Sequence, residues 1–247
     1  MPQWWILLLG VLAFPCIYCC RHRVFHAVVL GMTMHAAILL VFLYAPTEKM
    51  QGLVQKIFYF HVSAAMTMFL AFFLVCVASV LYLWKHSDWW DALAWSAAEI
   101  GVGLCTLVLI TGPLWARPIW GTWWSWDSTL TLTLVLWLIY VAYLMLRLET
   151  HTPQRARFAA VVGILGFVDV PLIRWSVEKW RTLHPKPVLM QEGGTTGLSP
   201  AMLLTFLVCV GAFVLLFGYL VRERLSVAQS RHALEILRQE IDELYGG

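Results

Sequence analysis

One short segment concentrates the tryptophans of this chain. Residues 114–130 read L-W-A-R-P-I-W-G-T-W-W-S-W-D-S-T-L, and five of the 14 tryptophans fall there. Indole rings form a broad apolar surface with N–H donors at its edge, which suits a large flat aromatic ligand. An interfacial helix anchored by indoles explains the same composition, and composition alone leaves both interpretations open. The five residues are Trp115, Trp120, Trp123, Trp124 and Trp126.

Three further residues of this tryptophan loop could contribute to a site. Gly121 allows the backbone to turn and to approach a ligand closely. Arg117 adds a cation that could meet a carboxylate. Asp127 stands immediately before an uncharged helical run that begins at Ser128, which is also the position of a helix N-cap. A capping role and a ligand role are compatible for Asp127.

Two histidines accompany the tryptophan loop. His61 lies a few residues inside an apolar stretch, and His184 lies in a polar segment. Trp180 and His184 are four residues apart, so on a helix they would share a face. Two neutral imidazoles beside an indole surface could bind a haem iron from opposite sides, although each histidine alone is explained as an ordinary interface residue. Basic residues that could hold the haem propionates are Arg117, Arg174, Lys179 and Arg181.

The composition restricts the class of protein that positions these residues. Hydrophobic residues make up 61% of the 247 residues and charged residues only 13%, about half the charge of a soluble domain. This balance excludes a soluble enzyme, a nucleic-acid binder and a disordered chain. The six cysteines lie in apolar stretches and do not form a disulfide framework. Motifs of P-loop, zinc-protease and serine-hydrolase type are absent from the sequence.

The hydrophobic stretches predict an all-α integral membrane protein, with a six-span helical core and an extra N-terminal span. The extra segment is either an uncleaved span or an interfacial hairpin, because no basic residue precedes it. We expect residues 1–23 to form this segment, residues 24–221 the membrane domain with its loop at 115–128, and residues 222–247 a cytoplasmic amphipathic helical tail. That tail either lies on its own protein or binds a partner. The spans are Trp4–Cys20, Val24–Tyr44, Phe58–Trp84, Ala92–Trp115, Thr129–Leu146, Phe158–Ile173 and Ala201–Val221.

The basic residues indicate an orientation. Seven spans place ten of the 17 Lys and Arg residues on one side and seven on the other. The positive-inside rule makes the side with ten the cytoplasmic side. The tryptophan loop, His61 and His184 then lie at the outer face, where we expect the function.

Three segments in this order resemble the WWD haem-handling family of cytochrome c assembly, and within it the haem-delivery proteins of CcmC type. They are I-F-Y-F-H-V at 57–62, T-G-P-L-W-A-R-P-I-W-G-T-W-W-S-W-D at 111–127 and P-L-I-R-W-S-V-E-K-W-R-T-L-H at 171–184. The resemblance runs from Val24 to Val221. It implies a six-span core that holds haem b at the outer face, with His61 and His184 as axial ligands of the iron. The motif residues are then Trp120, Gly121, Trp123, Trp124, Trp126 and Asp127.

The resemblance also implies a function and partners. The chain would bind haem at the periplasmic face of a bacterial inner membrane and deliver it to a periplasmic haem chaperone of CcmE type. It would work with ABC-transporter subunits and a small single-span subunit, surrounded by membrane lipid and without nucleic acid. Covalent chemistry would belong to the chaperone, so the chain is not expected to be an enzyme. Alternatives are a cytochrome c haem lyase of the same superfamily, a membrane electron-transfer cytochrome b and a scaffold without haem.

The sequence departs from the family pattern at two positions. Ser63 stands where the family commonly has proline, and Thr129 stands where it commonly has a basic residue. A propionate or partner contact is then lost or taken over by Arg117. The span Trp4–Cys20 lies outside the resemblance, and one hypothesis is that it replaces the small single-span subunit.

Overall fold

The computed structural model describes residues 23–147, 153–180, 182, 184 and 197–245. The predicted extra span Trp4–Cys20 lies outside these residues and stays a prediction.

The described chain is built of helices. Helix α1 covers Arg23–Leu39 and continues into a π-helical turn, Leu40–Tyr44. A 3₁₀ turn, Leu53–Lys56, precedes α2 (Ile57–Lys85), and α3 covers Asp88–Trp120. The remaining helices are α4 (Ser128–Met145), α5 (Pro153–Phe167), α6 (Asp169–Lys179) and α7 (Pro200–Tyr245).

Six helical stretches among the described residues are long and apolar enough to cross a membrane. Helices α5 and α6 together form one of them, which runs from Gln154 to Lys179. It therefore extends beyond the predicted span Phe158–Ile173 at both ends. The described residues contain no β-strand. The predicted all-α membrane fold with a six-span core is confirmed.

Small residues let the two central helices approach each other. Helix α2 packs against α3, α5 and α7. A Cβ atom added at Gly101 of α3 would lie 2.8 Å from the ring of Phe72 on α2, so the contact requires glycine there. Close packing of this kind is how membrane helices associate when lipid removes the hydrophobic driving force between them. Buried small residues of the two helices are Ala64, Ala71 and Ala78 on α2, and Ala94, Ala97 and Ala98 on α3.

One end of the bundle carries the predicted site residues, and we call it the loop end. Helix α1 finishes there, α2 and α4 begin there, and α3 and α6 finish there. A hydrogen bond from Trp115 Nε1 to Gln51 Oε1, 3.1 Å long, connects two of its segments. The order of the helices thus brings sequence-distant segments together at this end.

The opposite end of the bundle is held by ion pairs. Buried Arg147 pairs with Asp91. Arg224 of α7 pairs with Glu99 of α3 through two N–H groups, each of which donates to one of the two carboxylate oxygens. The two guanidinium groups lie 5.6 and 5.3 Å from the ring of Trp95. Glu99, an intramembrane carboxylate by sequence, therefore ties α7 to α3.

Helix α7 is much longer than a bilayer is thick. Its 46 residues correspond to about 70 Å at 1.5 Å per residue, against a hydrocarbon core of about 30 Å. The helix passes residue 222 without interruption, so the predicted tail is its continuation. Leu225 of that tail is buried, but the large aliphatic residues beyond it are exposed, so the described chain does not cover them. They are Val227, Leu234, Ile236, Leu237, Ile241 and Leu244.

Candidate functional site

A cavity at the loop end contains both predicted histidines. It encloses about 580 Å³ of empty space, with the open solvent at its mouth included. Its walls come from α2, α3 and α4, from the tryptophan loop and from His184. The lining residues are His61, Val108, Leu109, Gly112, Pro113, Trp115, Ala116, Trp120, Trp124, Thr129, Leu130, Thr133 and His184.

The side chain of His61, on α2, forms a hydrogen bond with a residue of α3. Its side chain is only 7% exposed, and its Nδ1 lies 2.8 Å from Oγ1 of Thr111. The hydroxyl of Thr111 donates its single proton to the carbonyl oxygen of Leu107, 2.7 Å away. With its proton directed to that carbonyl, the Thr111 hydroxyl accepts from Nδ1–H of His61, and we assign the tautomer on this basis. This assignment leaves Nε2 of His61 with a free lone pair, the form in which an imidazole binds a metal.

Trp115 packs on the other side of this histidine. Its ring centroid lies 5.8 Å from that of His61, with the two planes at 70°. The indole N–H donates to Gln51, and Phe58 lies edge-on at 6.1 Å. An anchored indole and a bonded Nδ1 together restrict the rotation of the His61 ring.

The tryptophan loop divides into residues that line the cavity and residues that do not. Trp120 and Trp124 line it together with Trp115. Trp123 and Trp126 do not, and their side chains are 56% and 77% exposed. Buried Nε1 of Trp124 has no hydrogen-bond partner in the described part of the chain. A buried donor without a partner is costly.

Gly121 ends α3 rather than approaching another group. Its φ of 75° and ψ of −1° are left-handed, and its N–H donates to the carbonyl of Arg117. Nothing lies within 4 Å of a Cβ added there, so the requirement for glycine is conformational. Gly121 thereby ends α3 inside the predicted loop 115–128, so Trp115, Arg117 and Trp120 are on the helix and only residues 121–127 are irregular.

Asp127 caps α4, as its position in the sequence predicts. Its Oδ1 accepts from the backbone N–H groups of Thr129 and Leu130, both at 3.1 Å. The hydroxyl of Ser125 donates to Oδ2 over 2.7 Å, and that of Thr182 donates to Oδ1 over 2.9 Å. The carboxylate therefore connects the tryptophan loop, the start of α4 and the segment that carries His184.

The prediction that Trp180 and His184 share a helical face is wrong. Helix α6 ends at Lys179, and Trp180 is extended, with φ of −108° and ψ of 159°. Pro185 follows His184, and a residue before proline avoids the helical region, so a helix through His184 is disfavoured. Trp180 packs against Trp175, with ring centroids 5.5 Å apart, and does not line the cavity.

Arg117 and Arg174, two of the predicted propionate-binding residues, lie outside the cavity lining. Arg117 is exposed and donates to the carbonyl of Gly121 over 2.6 Å. Arg174 pairs with Glu178, one turn along α6, at 2.7 Å. Arg181 lies outside the described residues. Binding of an anion by these arginines stays a prediction.

Several threonines of the site were missed by sequence reasoning. Thr111 holds His61, Thr129 and Thr133 line the cavity, and Thr182 contacts Asp127. Buried Thr129 stands where the family commonly has a basic residue, and it bonds to Ser176 of α6 over 2.9 Å. The closest sequence signal was the T-G-P-L-W run at 111–115, which contains Thr111 but does not show its partner.

Known proteins match most of the chain. The family model "Heme exporter protein C" matches residues 13–240. Heme exporter protein C of Bradyrhizobium diazoefficiens is 38% identical over 202 residues, which cover 81% of this chain and 73% of that protein. These matches confirm the resemblance that the motifs indicate. The family match also extends it beyond Val24–Val221 at both ends.

More distant relatives match as well. A putative cytochrome c biosynthesis ccmC-like mitochondrial protein of Marchantia polymorpha is 30% identical over 203 residues, covering 81% of this chain and 86% of that protein. Heme exporter protein C of Escherichia coli strain K12 is 34% identical over 160 residues, covering 64% of each chain.

Proposed function

We propose that this chain, which belongs to the heme exporter protein C family, binds haem b between His61 and His184 and delivers it to a periplasmic haem chaperone of CcmE type. The haem is cargo, and the covalent chemistry belongs to the chaperone. The observation that carries the proposal is the meeting of the two histidines in one cavity, although 123 positions separate them in the sequence.

The chemistry of the cavity fits a haem. Its walls are mostly apolar and aromatic, as the porphyrin face requires. His61 has Nε2 free for the iron. The mouth of the cavity opens at the loop end, where a partner can reach the cargo.

Absorption spectra of the detergent-purified protein, oxidised and reduced, test haem binding. We expect a six-coordinate spectrum that is altered or lost in His61→Ala and in His184→Ala. His35→Ala is the matched control, because His35 is exposed on α1 and outside the cavity. A pyridine haemochrome assay identifies the haem type, which the proposal requires to be b.

The spectra also separate the alternatives. An unchanged haem spectrum in both cavity variants would show that other residues bind the iron, and it would favour an electron-transfer cytochrome. A protein that binds no haem, even when haem is supplied, leaves a tryptophan-anchored scaffold. Either result contradicts the proposal.

Delivery needs its own experiment. The chain is co-produced with a periplasmic haem chaperone, and haem covalently bound to the chaperone is measured by haem staining of a denaturing gel. We expect His61→Ala and His184→Ala to reduce the stain and His35→Ala to leave it unchanged. Full staining in the two cavity variants would contradict delivery through this cavity.

The orientation proposed is periplasmic for the loop end and cytoplasmic for the C-terminus, in a bacterial inner membrane. The excess of basic residues at the opposite end supports it. A green fluorescent protein fused after Gly247 should fluoresce, and alkaline phosphatase at the same point should be inactive. The reverse pattern would invert the topology.

The proposed partners are ABC-transporter subunits and a small single-span subunit. The alternative hypothesis is that the N-terminal segment takes the place of the small subunit. If the segment takes that place, a complex purified with a chain that lacks residues 1–22 should contain fewer subunits or have lower activity than the complex with the full chain. An unchanged complex would refute this role of the segment.

A further inference from the structure

The two histidines of the cavity are held in different ways. His61 is on the second turn of α2, buried, and bonded to Thr111 of α3. His184 lies five residues beyond the end of α6. Its position therefore depends on contacts outside that helix.

Thr182 connects His184 to the rest of the site. The backbone N–H of His184 donates to Oγ1 of Thr182 over 3.1 Å. The same hydroxyl donates its proton to Oδ1 of Asp127 over 2.9 Å. A hydroxyl that accepts from the second residue along the chain forms a local turn, and donation to a carboxylate strengthens the arrangement.

Asp127 is itself fixed in space. Its Oδ1 caps the first turn of α4 through Thr129 and Leu130, and its Oδ2 accepts from Ser125 of the tryptophan loop. The hydroxyl of Thr182 therefore connects the backbone of His184, through Asp127, to the first turn of α4.

We propose that Thr182 is the positioning residue of His184. This inference rests on the proposed function, and it adds the contact that places one of the two iron ligands. Loss of the Thr182 hydroxyl would separate the His184 backbone from Asp127, while His61 keeps its bond to Thr111.

The first test uses the full chain without haem. Amide hydrogen exchange is measured on peptides that contain His184, in the wild type, Thr182→Val and Thr182→Ser. We expect exchange at the His184 amide to rise about five- to tenfold in the valine variant, the effect of losing one hydrogen bond, and to stay near the wild-type rate in the serine variant.

The control for this test is Thr131→Val. Thr131 is on α4, outside the cavity lining, and its hydroxyl has no hydrogen-bond partner among the described residues. The same isosteric change should leave exchange at His184 unaltered. Exchange that stays within twofold of the wild type in Thr182→Val would overturn the inference, whether or not the protein binds haem.

The second test uses the haem-loaded protein. Thr182→Val should convert at least half of the six-coordinate spectrum to a five-coordinate one, and added imidazole should restore it by occupying the freed position. Thr182→Ser and Thr131→Val should keep the wild-type spectrum. A six-coordinate spectrum in Thr182→Val, together with an altered one in His184→Ala, refutes the positioning role but leaves the proposed function standing.

Discussion

The replacement Thr111→Val tests the hydrogen bond that orients the His61 ring and leaves its Nε2 free for the iron. Valine has nearly the shape of threonine but cannot accept from Nδ1–H of His61, 2.8 Å away. Because the histidine is 7% exposed, water cannot readily take the place of the lost acceptor. The substitution therefore leaves a buried donor unsatisfied, at a cost of about 1–3 kcal/mol.

The expected effect on haem binding follows from this cost. Loss of a hydrogen bond to the distal nitrogen of a metal-binding histidine typically lowers metal affinity by about 10- to 100-fold. A tenfold change corresponds to about 1.4 kcal/mol, so the two magnitudes agree. We expect Thr111→Val to weaken haem binding by 10- to 100-fold and Thr111→Ser, which keeps the hydroxyl, to bind within threefold of the wild type.

The assay is an absorbance titration of haem into the purified haem-free protein in detergent. Thr131→Val serves as the control for a threonine-to-valine change that removes no bond, and a monodisperse elution profile shows that each variant is folded. Wild-type affinity in Thr111→Val, together with loss of binding in His61→Ala, would refute the assignment of the Nδ1 proton to the bond with Thr111.

Three further predictions concern the tryptophan loop and the helix packing. Asp127→Ala should lower the free energy of unfolding by about 1 kcal/mol through the lost cap of α4, with a smaller loss in Asp127→Asn, in thermal unfolding followed by circular dichroism; equal stability of the alanine variant and the wild type would contradict the cap. Trp124→Ala should weaken haem binding about tenfold, whereas exposed Trp126→Ala should leave it within twofold, in the same titration; equal losses would contradict the division of the loop. Gly101→Ala should destabilise the protein by about 1–3 kcal/mol, because its Cβ would lie 2.8 Å from the ring of Phe72, and an unchanged melting temperature would contradict that close approach.

Most of the fold follows from the hydrophobic pattern. The six core spans match the helices because a bilayer requires about 20 apolar residues for each crossing, and that requirement is local in sequence. The pattern is less informative where polar residues continue a helix. Helix α7 passes residue 222 without a break, and α5 and α6 form one span around Asp169.

The candidate site was predictable in part. Tryptophan clustering and the positions of His61 and His184 indicate that these residues meet at one end of the bundle. The helical interpretation of Trp180 and His184 failed because α6 ends at Lys179, where spacing alone cannot show the break. The supporting threonines carry no local signal, since threonine is common in membrane helices and its partner is far along the chain.

The sequence by itself determines the membrane class of this protein, its six core spans, its family and the end of the bundle that carries the site. These properties depend on composition, on the length of apolar runs and on short motifs. Only the tertiary structure decides that Thr111 faces His61 across 50 positions and that Thr182 joins His184 to Asp127 across 55. It also decides which tryptophans line the cavity and which face outward. The physical reason is that a hydrogen bond requires two groups within about 3 Å, and the packing of the helices, not the spacing along the chain, sets that distance.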